Sequence, residues 1–185
     1  MIKTGEVAER DAILRIADNM CLAAKTAPKG SGKDTIRACV VTGEDKDRLA
    51  NEMRSFVGDP GTEFFGRDAG NVDNSVAVVL IGCRITPFGM SGCGVCGFES
   101  CAAMKKAGGK CAFNLTDLGI AVGSAVSIAA DLRVDNRVMY TIGQAAERLG
   151  LLGDRIDTIW GIPLYAGSKA IYFDRGPGAV INVER

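Results

Sequence analysis

The stretch Val76–Cys111 reads VAVVLIGCRITPFGMSGCGVCGFESCAAMKKAGGKC and holds five of the seven cysteines of the chain. Its first part, Val76–Ile81, is a continuous apolar run rich in β-branched residues, which predicts a strand buried on both faces. Because this strand leads directly to Cys83, we expect the core to hold the segment 83–111 in place.

Four cysteines in this segment are spaced C-x2-C-x4-C-x9-C, with glycines between the first three. Soft thiolate ligands at such short spacings select iron–sulfur clusters or zinc, because one tight loop presents several sulfurs to a single centre. Cys83 is an alternative fourth ligand in place of the last of the four. The predicted metal ligands are Cys93, Cys96, Cys101 and Cys111.

The nature of the metal is a separate question. The spacing matches neither the C-x2-C-x2-C run of bacterial ferredoxins nor the plant type. Lysines between the third and fourth cysteines place positive charge where an anionic cluster would lie. Zinc sites made of cysteines alone usually combine two short pairs, whereas this segment has one. We therefore predict a 4Fe-4S cluster, with structural zinc as the alternative and a redox-active disulfide as a third possibility.

The overall composition excludes some classes of function. The chain has 185 residues, a formal net charge of zero and no histidine. The absence of histidine excludes catalysis by Ser-His or Cys-His pairs, and the balanced charge gives no sign of a nucleic-acid or membrane partner. No signal peptide is visible, so we predict a cytoplasmic protein with reduced cysteines. The apolar run Leu118–Ala130 is shorter than a membrane span.

Apolar periodicity predicts one mixed α/β domain over residues 1–185, with the loop 83–111 inserted in it. We expect the segment Gly58–Asn74 to be a polar connection, Asn114–Asp117 to cap a helix, and the terminal segment to pack on a partner subunit. The predicted helices are Glu9–Lys25, Glu44–Phe56, Leu118–Leu132 and Arg137–Leu149, and the predicted strands are Ile36–Val41, Val76–Ile81, Ile156–Tyr165 and Lys169–Asp174.

A second candidate site is the loop Ala27–Thr35, which reads APKGSGKDT. Its lysines and free amides are suited to an anion or the edge of a flavin ring. It lacks the spacing of a P-loop, and a surface loop without a ligand is the alternative interpretation. The candidate cofactor-binding residues are Lys29, Gly30, Ser31, Gly32 and Lys33.

The stretch Ile13–Leu49 resembles the flavin-dependent nitroreductase pattern, in which a helix ends in Ala-Pro and a polar loop leads into a strand. The GSAVSIAA helix and Gly161–Leu164 resemble the second half of that fold. With its cysteine loop, the chain is similar to the uncharacterised ferredoxin-domain proteins of bacteria and archaea. The resemblance implies a nitroreductase-like α/β fold, with a central, mostly antiparallel sheet flanked by helices.

The same resemblance implies a homodimer with FMN at the subunit interface. The Arg-Ser-x-Arg motif with which nitroreductases grip the flavin phosphate is replaced here by Glu9-Arg10-Asp11. Two hypotheses follow. The first is an iron–sulfur oxidoreductase or electron-transfer protein, with or without a linked flavin. Its partner would be an electron-transfer protein or a small-molecule substrate. The second is a non-enzymatic metal-binding module. No residue is predicted as a catalytic acid or base.

Overall fold

The computed structural model of the protein describes residues 2–58 and 60–173. In this part of the chain, four strands form one sheet in the order β1-β2-β4-β3, and every pairing is antiparallel. The strands are β1 (Ile36–Val41), β2 (Ala77–Cys83), β3 (Asp135–Asn136) and β4 (Thr158–Tyr165). The helices are α1 (Gly5–Thr26), α2 (Gly43–Arg54), α3 (Glu63–Asp73), α4 (Cys101–Lys106), α5 (Ala112–Asp131) and α6 (Tyr140–Arg148).

The sheet separates two apolar cores, and the alternation of side chains along β2 assigns its residues to them. Val79, Ile81 and Cys83 pack with α1 and α5 on one face. Val78 and Leu80 pack with α2, α3 and α6 on the other face. All seven residues of β2 are buried, which confirms the prediction of a strand covered on both sides. The mixed α/β class and the mostly antiparallel sheet are also confirmed.

The predicted elements before the cysteine loop agree with the structure with one exception. The strand β1 has the predicted bounds, and α1 begins four residues earlier than expected. The polar connection predicted over Gly58–Asn74 was wrong, because this segment contains α3. Phe65, Ala69 and Val72 of α3 are buried at helical spacing, although glycines and acidic residues lie between them.

Three corrections concern the second half of the chain. The helix α5 begins at Ala112, so Asn114–Asp117 lies inside it and does not cap it. The strand predicted over Lys169–Asp174 is absent from the described part of that segment, where residues 171–173 form a turn. Asp174 and the terminal segment, predicted to contact a partner subunit, lie outside the described residues.

The helix α5 also corrects the expectation that its apolar run is shorter than a membrane span. It has 20 residues and is apolar enough to cross a membrane by length and composition alone. In this fold it packs on α1, and its residues Leu118, Ala121 and Ala125 are buried in the core they share. Packing in the core accounts for the apolar residues on one side of α5, whereas Leu115 and Ile120 are 38% and 41% exposed.

Candidate metal centre

All four predicted metal ligands line one cavity. Cys93, Cys96, Cys101 and Cys111 border it, while Cys83 does not. The remaining lining is apolar, while Cys93, Cys96 and Cys101 are themselves partly exposed. The apolar residues around the thiols include Phe88, Met90, Val95, Met104 and Phe113.

The local chain conformation explains how the first three thiols reach the cavity. Gly94 and Gly97 have φ values of 58° and 82°, a left-handed region that costs glycine nothing. A backbone hydrogen bond of 2.8 Å from Gly97 N to Gly94 O closes the turn around Cys96. Cys101 is the first residue of α4, whose N-cap Ser100 accepts a hydrogen bond from Ala103 N.

Cys111 is held differently from the other three. It is buried and occupies the N-cap position of the long helix α5. The neighbouring Lys110 donates hydrogen bonds to Asp157 O at 2.5 Å and to Thr158 Oγ1 at 2.7 Å. These contacts join the fourth thiol to the start of β4.

Among the described residues, no three His, Cys, Asp or Glu side chains converge closely enough to hold a single metal ion. The space that the four thiols enclose is small, about 10 Å³. Room for about one water molecule is therefore present. A larger group does not fit this space, so its binding requires the four thiols to spread apart.

Of the other three cysteines, Cys83 lies in the core, and Cys21 and Cys39 are partly buried against it. Cys83 is fully buried, and burial, together with repulsion from Asp157, raises the pKa of its thiol to about 11. Burial likewise raises the pKa of Cys21 to about 11 and raises the pKa of Cys39. Thiols of this kind stay protonated at neutral pH and act as small apolar side chains, because only the thiolate binds metals well.

The predicted flavin loop has few donors left for a ligand. Lys29 Nζ donates to the carbonyls of Ala24, Lys25 and Ala27 at 2.7–3.0 Å, which caps the end of α1. The amide of Gly30 donates to Asp117 Oδ1 at 2.9 Å. The amides of Gly32 and Lys33 donate to carbonyls within the loop. Of the predicted residues, Ser31 keeps its amide and hydroxyl for a ligand, and Lys33 keeps its ammonium, which lies over the Phe88 ring.

Phe88 connects this loop with the cysteine cavity. It lines the cavity, and its ring makes an edge contact with Phe113 at 5.5 Å between centroids. Lys33 Nζ lies 5.0 Å from the centroid of the same ring. A Cβ on Gly30 would lie 2.8 Å from Phe88 Cζ, so the loop touches the ring edge. One aromatic side chain therefore separates the two candidate sites.

Two buried polar residues lie next to these sites, in the segment that the sequence predicted only as a helix cap. Asn114 Oδ1 accepts a hydrogen bond from Thr86 N, and Asp117 Oδ1 accepts one from Gly30 N. The second polar atom of each side chain, Asn114 Nδ2 and Asp117 Oδ2, is buried with no partner among the described residues. Their spacing of three residues on α5 was the available signal, because such a pair shares one helix face.

Comparison with known proteins places this chain in a family. The family model described as "Uncharacterized protein containing a ferredoxin domain (DUF2148)" matches residues 107–175. An uncharacterised protein of Archaeoglobus fulgidus is 43% identical over 166 residues, which cover 85% of this chain and 89% of that protein.

Solved structures show the fold. A nitroreductase with bound FMN from Desulfitobacterium hafniense DCB-2 superposes with a TM-score of 0.57 at 16% identity, covering 91% of this chain and 81% of that chain. A nitroreductase family protein from Clostridium novyi NT gives a TM-score of 0.52 at 17% identity, covering 84% and 73% of the two chains. The chain therefore belongs to the family of uncharacterised proteins that contain a ferredoxin domain (DUF2148), and its fold is nitroreductase-like.

Proposed function

We propose that the chain is an iron–sulfur redox protein that binds a 4Fe-4S cluster through Cys93, Cys96, Cys101 and Cys111. The observation that carries this proposal is the single cavity that these four thiols line. Four cysteines are the ligand set of such clusters. The position of Cys83, buried in β2 outside the cavity, supports Cys111 as the fourth ligand.

The spacing and the surroundings of the cysteines support a cluster over zinc. Zinc sites made of cysteines alone usually combine two short pairs, whereas this segment has one. The thiols surround a cavity with an apolar lining, Phe88 and Phe113 among it. Exclusion of water from the sulfurs tunes the potential of a cluster, but a structural zinc site needs no such lining.

The bound cluster supplies one-electron transfer. The chain itself supplies position and environment. Cys111 is fixed at the N-terminus of α5, and Lys110 joins it to β4. Phe88 and Met104 contribute apolar lining beside the thiols, while Val95 is 63% exposed at the outer edge of the cavity. A redox partner is expected to approach from that exposed edge.

A flavin has weaker support from the contacts. Its fold-level support is the D. hafniense nitroreductase, which has bound FMN. Here the loop 29–33 uses Lys29 and three of its amides for its own structure. These engaged donors are not available to a flavin phosphate, which leaves Ser31 and Lys33, and the proposal includes no step through FMN. The alternative function, a non-enzymatic module in which the metal centre senses oxygen or stabilises the loop, is favoured by these same engaged donors.

We further propose a cytoplasmic homodimer whose subunits are single domains over residues 1–185. An open apolar groove of about 570 Å³ beside the metal centre supports a second copy as the partner. Leu115 and Val138 on this surface are 38% and 36% exposed, although both are large and apolar. Light scattering on the purified chain measures the dimer directly.

The test compares alanine substitutions at two buried cysteines in protein purified without oxygen. We expect about four irons and four sulfides per chain in the wild type, with visible absorption that dithionite bleaches. Cys83→Ala should keep this iron and Cys111→Ala should lose it, while circular dichroism shows both folded. Iron retained in Cys111→Ala, or one zinc and no iron in the wild type, would disprove the ligand set or the cluster.

FMN added to the same iron-loaded protein distinguishes the two functions. Saturable quenching of flavin fluorescence would establish a flavin enzyme, and its absence would leave a cluster protein without flavin. The iron result does not depend on this outcome.

A further inference from the structure

A polar cavity, separate from the cysteine cavity, lies on the face of the sheet that carries α2, α3 and α6. It is at the end where β1 begins and β2 ends. It has a volume of about 110 Å³. Three arginines and one aspartate border it, so the formal charge of its lining is positive. The lining residues are Thr35, Arg37, Arg84, Leu152, Asp154, Arg155 and Ile156.

The strand register brings the first two arginines to one face. Arg37 is paired with Gly82. One step further along, Arg84 N donates to Thr35 O at 3.0 Å, which continues the ladder beyond Cys83. Directly paired residues of antiparallel strands, and residues two apart on one strand, point to the same face. Thr35, Arg37 and Arg84 therefore share the face of Gly82.

Because Gly82 has no side chain, the loop that carries the third arginine can pack on the strand at this position. A Cβ on Gly82 would lie 2.6 Å from Ile156 Cγ2 and 3.0 Å from Leu152 Cδ1. The loop between α6 and β4 therefore packs directly on the strand at this position. Arg155 of this loop has a φ of 65°, an uncommon value for a residue with a side chain. This close packing brings Arg155 to the cavity that Arg37 and Arg84 line.

The polar groups of the cavity lack acceptors of their own. Among the described residues, no ion pair joins Asp154 to any of the three arginines. Arg37 Nη1 donates to the carbonyl of Ile36, and neither Arg84 nor Arg155 has a described side-chain partner. Thr35 is 6% exposed, and its Oγ1 is buried with no described hydrogen-bond partner. A buried hydroxyl without a partner is rare, because it loses its hydrogen bonds to water.

We propose that this cavity binds a phosphate group, either as free inorganic phosphate or as the monoester of a larger molecule. Guanidinium groups bind phosphate oxygens in bidentate pairs, and the Thr35 hydroxyl supplies a further donor from the floor of the cavity. The cavity has room for several heavy atoms, which fits a tetrahedral oxyanion. This site is separate from the cysteine cavity, with which it shares no lining residue.

The test is calorimetric titration of inorganic phosphate into the full chain, purified without oxygen and kept at constant ionic strength. We expect saturable binding with one phosphate per chain. Arg84→Gln and Arg155→Gln should each weaken it about tenfold or more, since each removes charged hydrogen bonds. Arg48→Gln is the matched control, because Arg48 is exposed and pairs with Asp45 on α2. Arg48→Gln should bind phosphate as the wild type does.

Thr35→Val provides a readout that does not depend on charge. Valine has the shape of threonine without the hydroxyl, so in phosphate-free buffer the variant should melt at a higher temperature than the wild type. It should also gain less thermal stability from added phosphate. A wild type that binds no phosphate, or equal losses in Arg84→Gln and Arg48→Gln, would overturn the proposal.

A parallel titration with AMP distinguishes the two sources of the phosphate. Tighter binding of AMP than of inorganic phosphate would assign the site to a monoester, and equal or weaker binding would assign it to the free anion. In both cases the arginine variants must lose binding. AMP binding that survives both Arg84→Gln and Arg155→Gln would contradict the site.

Discussion

Replacing Gly143 by alanine tests how closely α6 lies on the sheet. An alanine Cβ at this position would stand 1.8 Å from Ile159 O and 2.6 Å from Ile159 C. Both are backbone atoms of β4, so no rotamer change relieves the contact. Cβ atoms essentially never come within 3.0 Å of such atoms, so the helix and the strand must separate by about 1.2 Å, the difference between 3.0 and 1.8 Å.

The expected loss of stability follows from the core packing that this separation disrupts. Ile142, Ala145 and Ala146 of α6 are fully buried against the sheet. Overpacking a core costs about 1–3 kcal/mol, and more when the backbone must move. Alanine returns about 1 kcal/mol through its helix propensity. Because the contact is with backbone atoms, we take the upper end of this range, which gives a net loss of about 2 kcal/mol and lowers the melting temperature of a chain of this size by about 4–8 °C.

The assay is urea denaturation followed by circular dichroism, with Gly70→Ala as the matched control. Gly70 also lies inside a helix, α3, but a Cβ there meets no atom within 4 Å. The control should therefore gain about 0.5–1 kcal/mol. If Gly143→Ala were as stable as Gly70→Ala, the close contact between α6 and β4 would be refuted.

Two other predictions concern groups near the candidate sites. Because the pKa of Cys21 is raised to about 11, its alkylation by iodoacetamide should rise about tenfold per pH unit between pH 8 and 10, as its thiolate fraction does. Peptide mass spectrometry measures this rate, and a plateau below pH 9 would contradict the raised pKa. Asp117→Ala should cost about 1–3 kcal/mol in urea denaturation, since it removes the acceptor of the Gly30 amide. Asp117→Asn retains an acceptor oxygen and should cost less, so equal losses in the two variants would count against this hydrogen bond.

Local patterns in the sequence predicted the strands β1 and β2, because their apolar runs are visible without knowledge of distant contacts. The short spacing of Cys93 and Cys96 is a local pattern of the same kind. The helix α3 was missed because Gly66 and Gly70 weaken its propensity, and its burial against α2 and α6 decides its structure. Tertiary packing overrides a weak local preference in such cases.

The predicted role of Lys29 shows a different limit. In the sequence its ammonium looks available for an anion, yet the fold brings it back to the carbonyls that end α1. The polar cavity at Thr35 was not visible either, since its arginines come from three separate segments. Strand register and a glycine contact bring them together, and neither is encoded in a short motif.

The unequal anchoring of the four thiols has a consequence for cluster turnover. Between Phe88 and Glu99 the structure contains one backbone hydrogen bond, Gly97 N to Gly94 O, whereas Cys111 stands at the start of a helix packed in the core. Segments with few hydrogen bonds open without global unfolding, so amide hydrogens here should exchange fast while those of α5 stay protected. If the proposed cluster binds here and is lost, the segment between Phe88 and Glu99 should open first, while α5 keeps Cys111 in place for a new cluster.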